Sequence, residues 1–104
     1  MRIMLTHTVL FWLKPETTAA RRAEFEIDLR VLLAIPGSTR AIIGRPSATA
    51  ARPVVDHSYD YALELDFADV ATHDVYQNHP DHLGFIARSK EVWSRVKVID
   101  FDHI

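Results

Sequence analysis

Four segments of the chain have the hydrophobic pattern or residue types of β-strands. Residues 3–13 (IMLTHTVLFWL) and 38–46 (STRAIIGRP) are rich in β-branched or aromatic residues and end near proline. Residues 59–67 (YDYALELDF) alternate large hydrophobic with polar or small residues, which predicts a strand with one buried face. Residues 95–104 (RVKVIDFDHI) predict a closing strand.

Between these strands the hydrophobic period changes to that of helices. Thr17 or Thr18 is a suitable N-cap for a first helix, whose hydrophobic stripe contains Phe25, Leu29, Leu32 and Leu33 and which ends at Pro36-Gly37. A second helical region begins after Asp69 and runs through Val92 and Trp93. Pro80 either interrupts this region or starts a new helix within it. Residues 45–58 have two prolines and little periodicity, which predicts a long exposed loop that is either a lid or a crossing to a partner subunit.

The resulting order β-α-β-β-α-β predicts an α+β, ferredoxin-like fold over a single domain of residues 1–104, with both helical regions on one face of an antiparallel sheet. The first strand is unusual because both of its faces are hydrophobic. His7, Val9 and Phe11 share the face expected to meet the helices, whereas Leu10 and Trp12 lie on the other. A sheet face without helices is normally polar, so Leu10 and Trp12 predict a homodimer interface.

Composition and charge exclude several classes of function. The 104 residues contain no cysteine, which excludes disulfides and thiolate chemistry, and the net charge of −2 disfavours nucleic acid as a partner. The hydrophobic N-terminal run is too short to cross a membrane, and no signal-peptide cleavage pattern follows it. Three glycines and no phosphate-binding loop disfavour nucleotide cofactors. We therefore expect a cytoplasmic protein without cofactor, nucleic-acid partner or membrane segment.

Residues 76–85 (YQNHPDHLGF) contain the most conspicuous polar cluster. His79 and His82 have the i, i+3 spacing of a helical metal-ligand pair, and His57, His73 or Asp81 could complete a site. Pro80 lies between them and disturbs the helix on which this spacing depends, so we expect no metal. The alternative for His79 is a C-cap of the preceding helix, where an imidazolium would interact favourably with the helix dipole.

Several motifs together resemble the stress-responsive dimeric α/β-barrel (Dabb) domain family, and in particular its olivetolic acid cyclase-type members. They are THTVLFWLK, IPG after the first helix, YDYALELDF, the Y-x-x-HP-x-H of residues 76–82 and the terminal VIDFD. The resemblance covers nearly the whole chain. It implies ferredoxin-like protomers whose sheets pack face to face in a homodimer.

The resemblance also implies site residues. His82, Tyr76 and Asp100 match the catalytic histidine, tyrosine and supporting aspartate of the cyclase, and His7 matches a histidine of its cavity. Tyr61 and Asp28 stand where the cyclase has a histidine and a tyrosine, so its polyketide pocket is not reproduced. The remaining candidates for a substrate pocket between sheet and helices are aromatic: Tyr61, Phe25 and Trp93.

Two functions remain open at this point. One is a cofactor-free lyase or cyclase in which His82 is the general base, Asp100 orients it and Tyr76 donates a hydrogen bond to a developing oxyanion. The other is a stress-associated homodimer with a small-molecule pocket and no assigned activity. In that second case His82 and Asp100 form only a buried structural pair.

Overall fold

The computed structural model describes residues 4–104, which form four β-strands and three α-helices. In chain order they are β1 (Leu5–Leu13), α1 (Ala19–Val31), β2 (Ser38–Gly44), β3 (Tyr61–Phe67), α2 (Val70–Gln77), α3 (Pro80–Ser89) and β4 (Trp93–Asp102). Short 3₁₀ turns follow α1 and α3. The four strands form one antiparallel sheet of order β2-β3-β1-β4, so the predicted ferredoxin-like α+β fold is confirmed.

Side-chain caps fix the beginnings of the helices. The Thr18 hydroxyl accepts a hydrogen bond from the Arg21 backbone N–H at 3.1 Å, and the Asp69 carboxylate accepts one from Thr72 at 2.8 Å. Pro80 starts α3, where proline is tolerated because the first helical N–H groups have no partner within the helix. The prediction that Trp93 lies in the second helical region was wrong, because α3 ends at Ser89 and Trp93 begins β4.

The hydrophobic core lies between the helices and one face of the sheet. Alternate residues of β1 and β3 are buried there, as the period of two predicts, and the predicted stripe of α1 packs on them. Phe25 is fully buried and its ring contacts Phe11, Tyr61 and Phe85, with centroids 5.4, 5.4 and 5.8 Å away. α1 is therefore anchored at the centre of the core.

A close approach between the chain after α1 and helix α2 requires glycine at position 37. Gly37 has φ of 117°, and a Cβ at this position would lie 3.1 Å from Thr72 Cγ2. Only glycine adopts this backbone conformation without strain, so Gly37 lets β2 begin close to α2. The helix itself ends earlier than predicted, at Val31, and a 3₁₀ turn over Leu32–Ala34 precedes Pro36-Gly37.

The strand β4 is exposed on both of its faces. Val96 and Val98 lie on the helix side and are 37% and 51% exposed, while Ile99 and Phe101 lie on the opposite side and are 44% and 51% exposed. The helices cover β1 and β3 far better than they cover β4. An edge strand with this much exposed hydrophobic surface is typical of a site that contacts a partner or a ligand.

The face of the sheet that points away from the helices is called the open face here. The strand register places five large hydrophobic residues on this face: Leu10, Trp12, Ile42, Ile99 and Phe101. Leu10 and Trp12 are half-buried, and Arg95 lies over the Trp12 ring at 4.4 Å from its centroid. Residues 45–60 contain no strand or helix, and the Ser58 hydroxyl accepts a hydrogen bond from Trp12 Nε1 at 3.0 Å. The predicted loop is thus confirmed, and its end lies beside the open face.

Candidate functional site

A cavity of about 180 Å³ lies between the sheet and the helices. Most of its wall is hydrophobic, from Val9, Phe11, Leu32, Leu63, Phe85, Ile86, Val96 and Val98. Its polar lining comes from His7 on β1, Tyr76 and Gln77 on α2, His82 on α3 and Trp93 on β4. Because Val96 and Val98 belong to the exposed strand β4, the cavity is accessible from that edge of the sheet. Four of the predicted site residues therefore meet in one place.

His7 is held by Asp100. The β1–β4 register places the two residues directly opposite each other, and His7 Nδ1 lies 2.5 Å from Asp100 Oδ1. The His7 side chain is 4% exposed, whereas that of Asp100 is 51% exposed. Asp100 thus joins a buried imidazole to solvent. The predicted pairing of Asp100 with His82 was wrong, because the strand register directs the carboxylate to His7 instead.

Burial determines the protonation of His7. It lowers the pKa of the imidazole below its usual value, although the hydrogen bond and charge of Asp100 favour the protonated form. A neutral His7 that donates from Nδ1 to Asp100 has its lone pair on Nε2, so the Asp100 carboxylate fixes the tautomer. This is the arrangement of a base oriented by a carboxylate.

Tyr76 and His82 lie against each other in the cavity wall, with ring centroids 4.9 Å apart. Tyr76 is fully buried and His82 is 8% exposed. Tyr76 Oη and His82 Nδ1 are both buried without a hydrogen-bond partner within residues 4–104. Burial raises the pKa of Tyr76, and burial followed by the nearby His7 and His73 lowers that of His82. Both side chains are therefore neutral near pH 7.

Two further residues that line the cavity also have a buried polar atom without a hydrogen-bond partner in the described part of the chain. Gln77 Oε1 and Trp93 Nε1, also in residues lining the cavity, are buried without a partner among the described residues. Each unpaired buried group costs about 1–3 kcal/mol, and native proteins contain few of them. Gln77 was not predicted as a site residue. Its position next to Tyr76 on α2 was the only signal in the sequence.

Two predicted pocket residues lie elsewhere. The Tyr61 hydroxyl donates to Glu26 Oε2 at 3.2 Å and borders a separate cavity with Arg30 and Arg45. Phe25 lies in the core and does not line the 180 Å³ cavity. Tyr61 lies on the helix side of β3 as predicted, whereas Phe25 packs from α1 into the core against Phe11.

The two histidines of residues 76–85 serve different purposes. His79 is the N-cap of α3, and its Nδ1 accepts a hydrogen bond from the Asp81 backbone N–H at 3.1 Å. The predicted C-cap role was wrong, because α2 ends at Gln77 with Asn78 as its C-cap. His82 faces the cavity instead, so the i, i+3 spacing does not bring the two imidazoles together.

His73 lies near the cavity. The sequence indicated this residue only as a possible metal ligand. It lies one helical turn before Tyr76 on α2, and its ring centroid is 4.9 Å from that of His7. The i, i+3 spacing to Tyr76 could have indicated that it shares the inward stripe of α2.

The family model for the stress responsive A/B barrel domain, Dabb, matches residues 5–103. The chain belongs to the Dabb family. This agrees with the resemblance seen in the motifs, and the match covers every strand and helix described above. No curated protein matches the chain in sequence. No helix among the described residues is long and hydrophobic enough to cross a membrane.

Solved structures show the same fold. A Dabb family protein with a ferredoxin-like fold from Mesorhizobium loti is 30% identical, with a TM-score of 0.79 and 99% of each chain covered. A dimeric ferredoxin-like protein of unknown function from Thermobifida fusca is 22% identical, with a TM-score of 0.80 over 99% of this chain and 93% of that one. The hydroxynitrile lyase of Passiflora edulis is 18% identical, with a TM-score of 0.80 over 97% and 94%.

Proposed function

We propose that this Dabb domain forms a homodimer and that its helix-side cavity binds a small organic molecule with one ring and a carbonyl or hydroxyl oxygen. The observation that carries the proposal is that two residues lining one cavity, Tyr76 and His82, each have a buried polar atom without a partner among the described residues, Oη and Nδ1. A ligand oxygen can accept from Tyr76, and a ligand hydroxyl can donate to a lone pair on His82 Nδ1. Either bond removes a desolvation cost that the free protein bears.

The size and lining of the cavity determine the class of ligand. An apolar protein cavity of about 150 Å³ accommodates benzene, so 180 Å³ suits a single ring with a short substituent. Hydrophobic side chains predominate in the wall. Among the described residues that line the cavity there is no Lys or Arg, whose side chain would bind an anionic ligand. A neutral aromatic or alicyclic compound with one oxygen function fits both properties.

The homodimer is supported by two independent observations. The Thermobifida fusca protein of the same fold is described as dimeric. In the present chain, hydrophobic residues of the open face and of β4 are exposed in the monomer, including Ile99 and Phe101. We place the interface on the open face, where it includes Leu10 and Trp12. The residue 45–60 loop beside Trp12 would then lie at its rim.

The ligand proposal is tested with the Tyr76→Phe variant. Removing a buried hydroxyl that has no protein partner should leave the thermal midpoint unchanged or slightly higher. The same change should weaken binding of a monocyclic carbonyl compound, selected by thermal shift from a panel, by about fivefold, because one hydrogen bond of about 1 kcal/mol is lost. Calorimetric titration of both proteins measures the difference.

Tyr61→Phe is the matched control, since it removes a hydroxyl that is bonded to Glu26 outside the cavity. We expect this variant to be slightly less stable and to bind the same compound unchanged. Equal effects of the two changes on affinity, or a loss of stability confined to Tyr76→Phe, would count against the ligand role of Tyr76. A panel in which no compound binds would remove the proposal for this ligand class.

A second candidate function, cofactor-free lyase chemistry, is favoured by the 2.5 Å contact between His7 and Asp100. With the Nδ1 proton held by Asp100, His7 Nε2 can take the hydroxyl proton of a hydroxynitrile. The electron pair of that O–H bond forms the carbonyl, the carbon–carbon bond breaks, and cyanide leaves with its electrons and is protonated by the imidazolium. The hydroxynitrile lyase of Passiflora edulis shares the fold and motivates the choice of this reaction as a test.

Cleavage of mandelonitrile to benzaldehyde, followed by absorbance, tests the lyase candidate. If His7 is the base, we expect His7→Gln to lower kcat/KM by about 10²–10⁴-fold, and Asp100→Asn to lower it less. His57→Gln replaces a loop histidine bonded to Thr49 and should have no effect. Cleavage no faster than in buffer, or activity that survives His7→Gln, would exclude His7 as a lyase base while leaving the ligand proposal intact.

A further inference from the structure

The histidine of α2 carries an unused nitrogen next to His7. The His73 and His7 ring centroids are 4.9 Å apart with the planes at 65°. His73 Nδ1 lies 3.0 Å from Asp74 Oδ1, whereas His73 Nε2 is buried without a hydrogen-bond partner within residues 4–104. A neutral imidazole that donates from Nδ1 has its lone pair on Nε2. His73 therefore presents a buried acceptor that no described group uses.

We propose that His7, His73 and Asp100 form a binding site for a divalent first-row transition-metal ion. One ring nitrogen from each histidine and one Asp100 oxygen lie within 4.8 Å of one another. Ligand atoms around one zinc ion are roughly 3.3 Å apart, given bonds of about 2.0–2.2 Å. Binding would therefore require rotations of the three side chains that bring their ligand atoms to this spacing. Two imidazoles and a carboxylate form a donor set that suits zinc, iron, cobalt or nickel better than magnesium or calcium.

The surroundings of His73 and Asp100 favour a cation. A second cavity, of about 250 Å³, is bordered by His73 and by three acidic residues, Asp74, Asp100 and Asp102. Three acidic residues around one cavity attract positive charge, and the cavity would provide a route from solvent to the ligand atoms. This cavity also leaves space for a water molecule in a fourth coordination position.

Asp74 has the position of an outer-shell partner. Histidines that bind metals usually donate their other ring N–H to a carboxylate or carbonyl, which fixes the ring and increases its basicity. The contact between His73 Nδ1 and Asp74 provides this arrangement, with Nε2 directed away from it. The three ligands come from β1, α2 and β4, so the folded protein holds them together without a flexible loop.

The metal site goes beyond the proposed ligand cavity and shares only His7 with it. Binding of the ion requires no organic molecule and no turnover. An ion bound through His7 Nδ1 would replace the proton between His7 and Asp100, so metal and the base function of His7 would exclude each other. The two proposals can therefore fail separately.

Calorimetric titration of the tag-free, full-length protein with zinc tests the metal proposal. We expect one ion per chain and a zinc-dependent rise in the thermal midpoint, because the ion binds the folded state. His73→Gln should abolish the rise and lower the zinc affinity by at least about a hundredfold. Asp74→Asn should lower it by about tenfold to a hundredfold, the range found for outer-shell partners.

The matched control is His57→Gln, which removes a histidine of the residue 45–60 loop. It should leave zinc stoichiometry and affinity unchanged, and all variants should match the native far-ultraviolet circular dichroism. Zinc binding that is insensitive to His73→Gln, or equally sensitive to His57→Gln, would show adventitious binding to surface histidines and overturn the site. Neither result depends on mandelonitrile cleavage or on the organic ligand.

Discussion

Phe25→Ala is expected to lower the free energy of unfolding by about 3–5 kcal/mol, the range for truncating a buried aromatic residue. Phe25 is fully buried, and the rings of Phe11, Tyr61 and Phe85 pack around it. These neighbours belong to two strands and a second helix, so the space left by the ring cannot close without moving several elements. Small domains are stable by about 5–15 kcal/mol, which makes this loss a large part of the total.

Denaturant unfolding at one fixed chain concentration measures the effect, since a homodimer would make stability depend on concentration. Ile27→Ala is the matched control, because Ile27 lies on the same helix but is 64% exposed. We expect that variant to stay within about 0.5 kcal/mol of the native protein. A loss below about 1 kcal/mol for Phe25→Ala would mean that Phe25 borders open space. Phe25 would then return to the list of candidate pocket residues.

The sequence predicts more of the fold than of the candidate site, because the two depend on different kinds of information. Strand and helix positions follow from local periods and caps, and Thr18, Asp69 and Pro80 all act where the sequence indicated. The partner of Asp100 depends instead on the register of two strands about ninety residues apart in the chain, which no local pattern encodes.

The outcome for residues 76–85 has a similar cause. The spacing of His79 and His82 predicted a shared helical face only if one helix continued through Pro80. The chain instead ends α2 at Gln77 and starts α3 at Pro80, so His79 lies at a junction and His82 faces the cavity. His73, Tyr76 and His82 come together through tertiary packing of two short helices on β1, which a single sequence does not specify.

Phe101→Glu is expected to convert the proposed homodimer into a monomer. Phe101 lies on the open face, is 51% exposed in the monomer and contacts the His103 ring, so the substitution should leave the monomer fold intact. In a symmetric dimer each substitution occurs twice in the same interface. Two carboxylates buried without partners cost about 2 kcal/mol each or more, which together raises the dissociation constant by about a thousandfold.

Light scattering after gel filtration provides the measurement. The native protein should elute at twice its 11.9 kDa chain mass at micromolar concentration, and Phe101→Glu at the mass of one chain. Ile27→Glu places the same charge on the helix layer, at a residue that is 64% exposed, and should remain dimeric. A native protein that is monomeric at tens of micromolar would remove the dimer proposal. A Phe101→Glu variant that stays dimeric would instead show that the interface does not lie on the open face. The alternative location is the helix side of β4, where Val96 and Val98 are exposed.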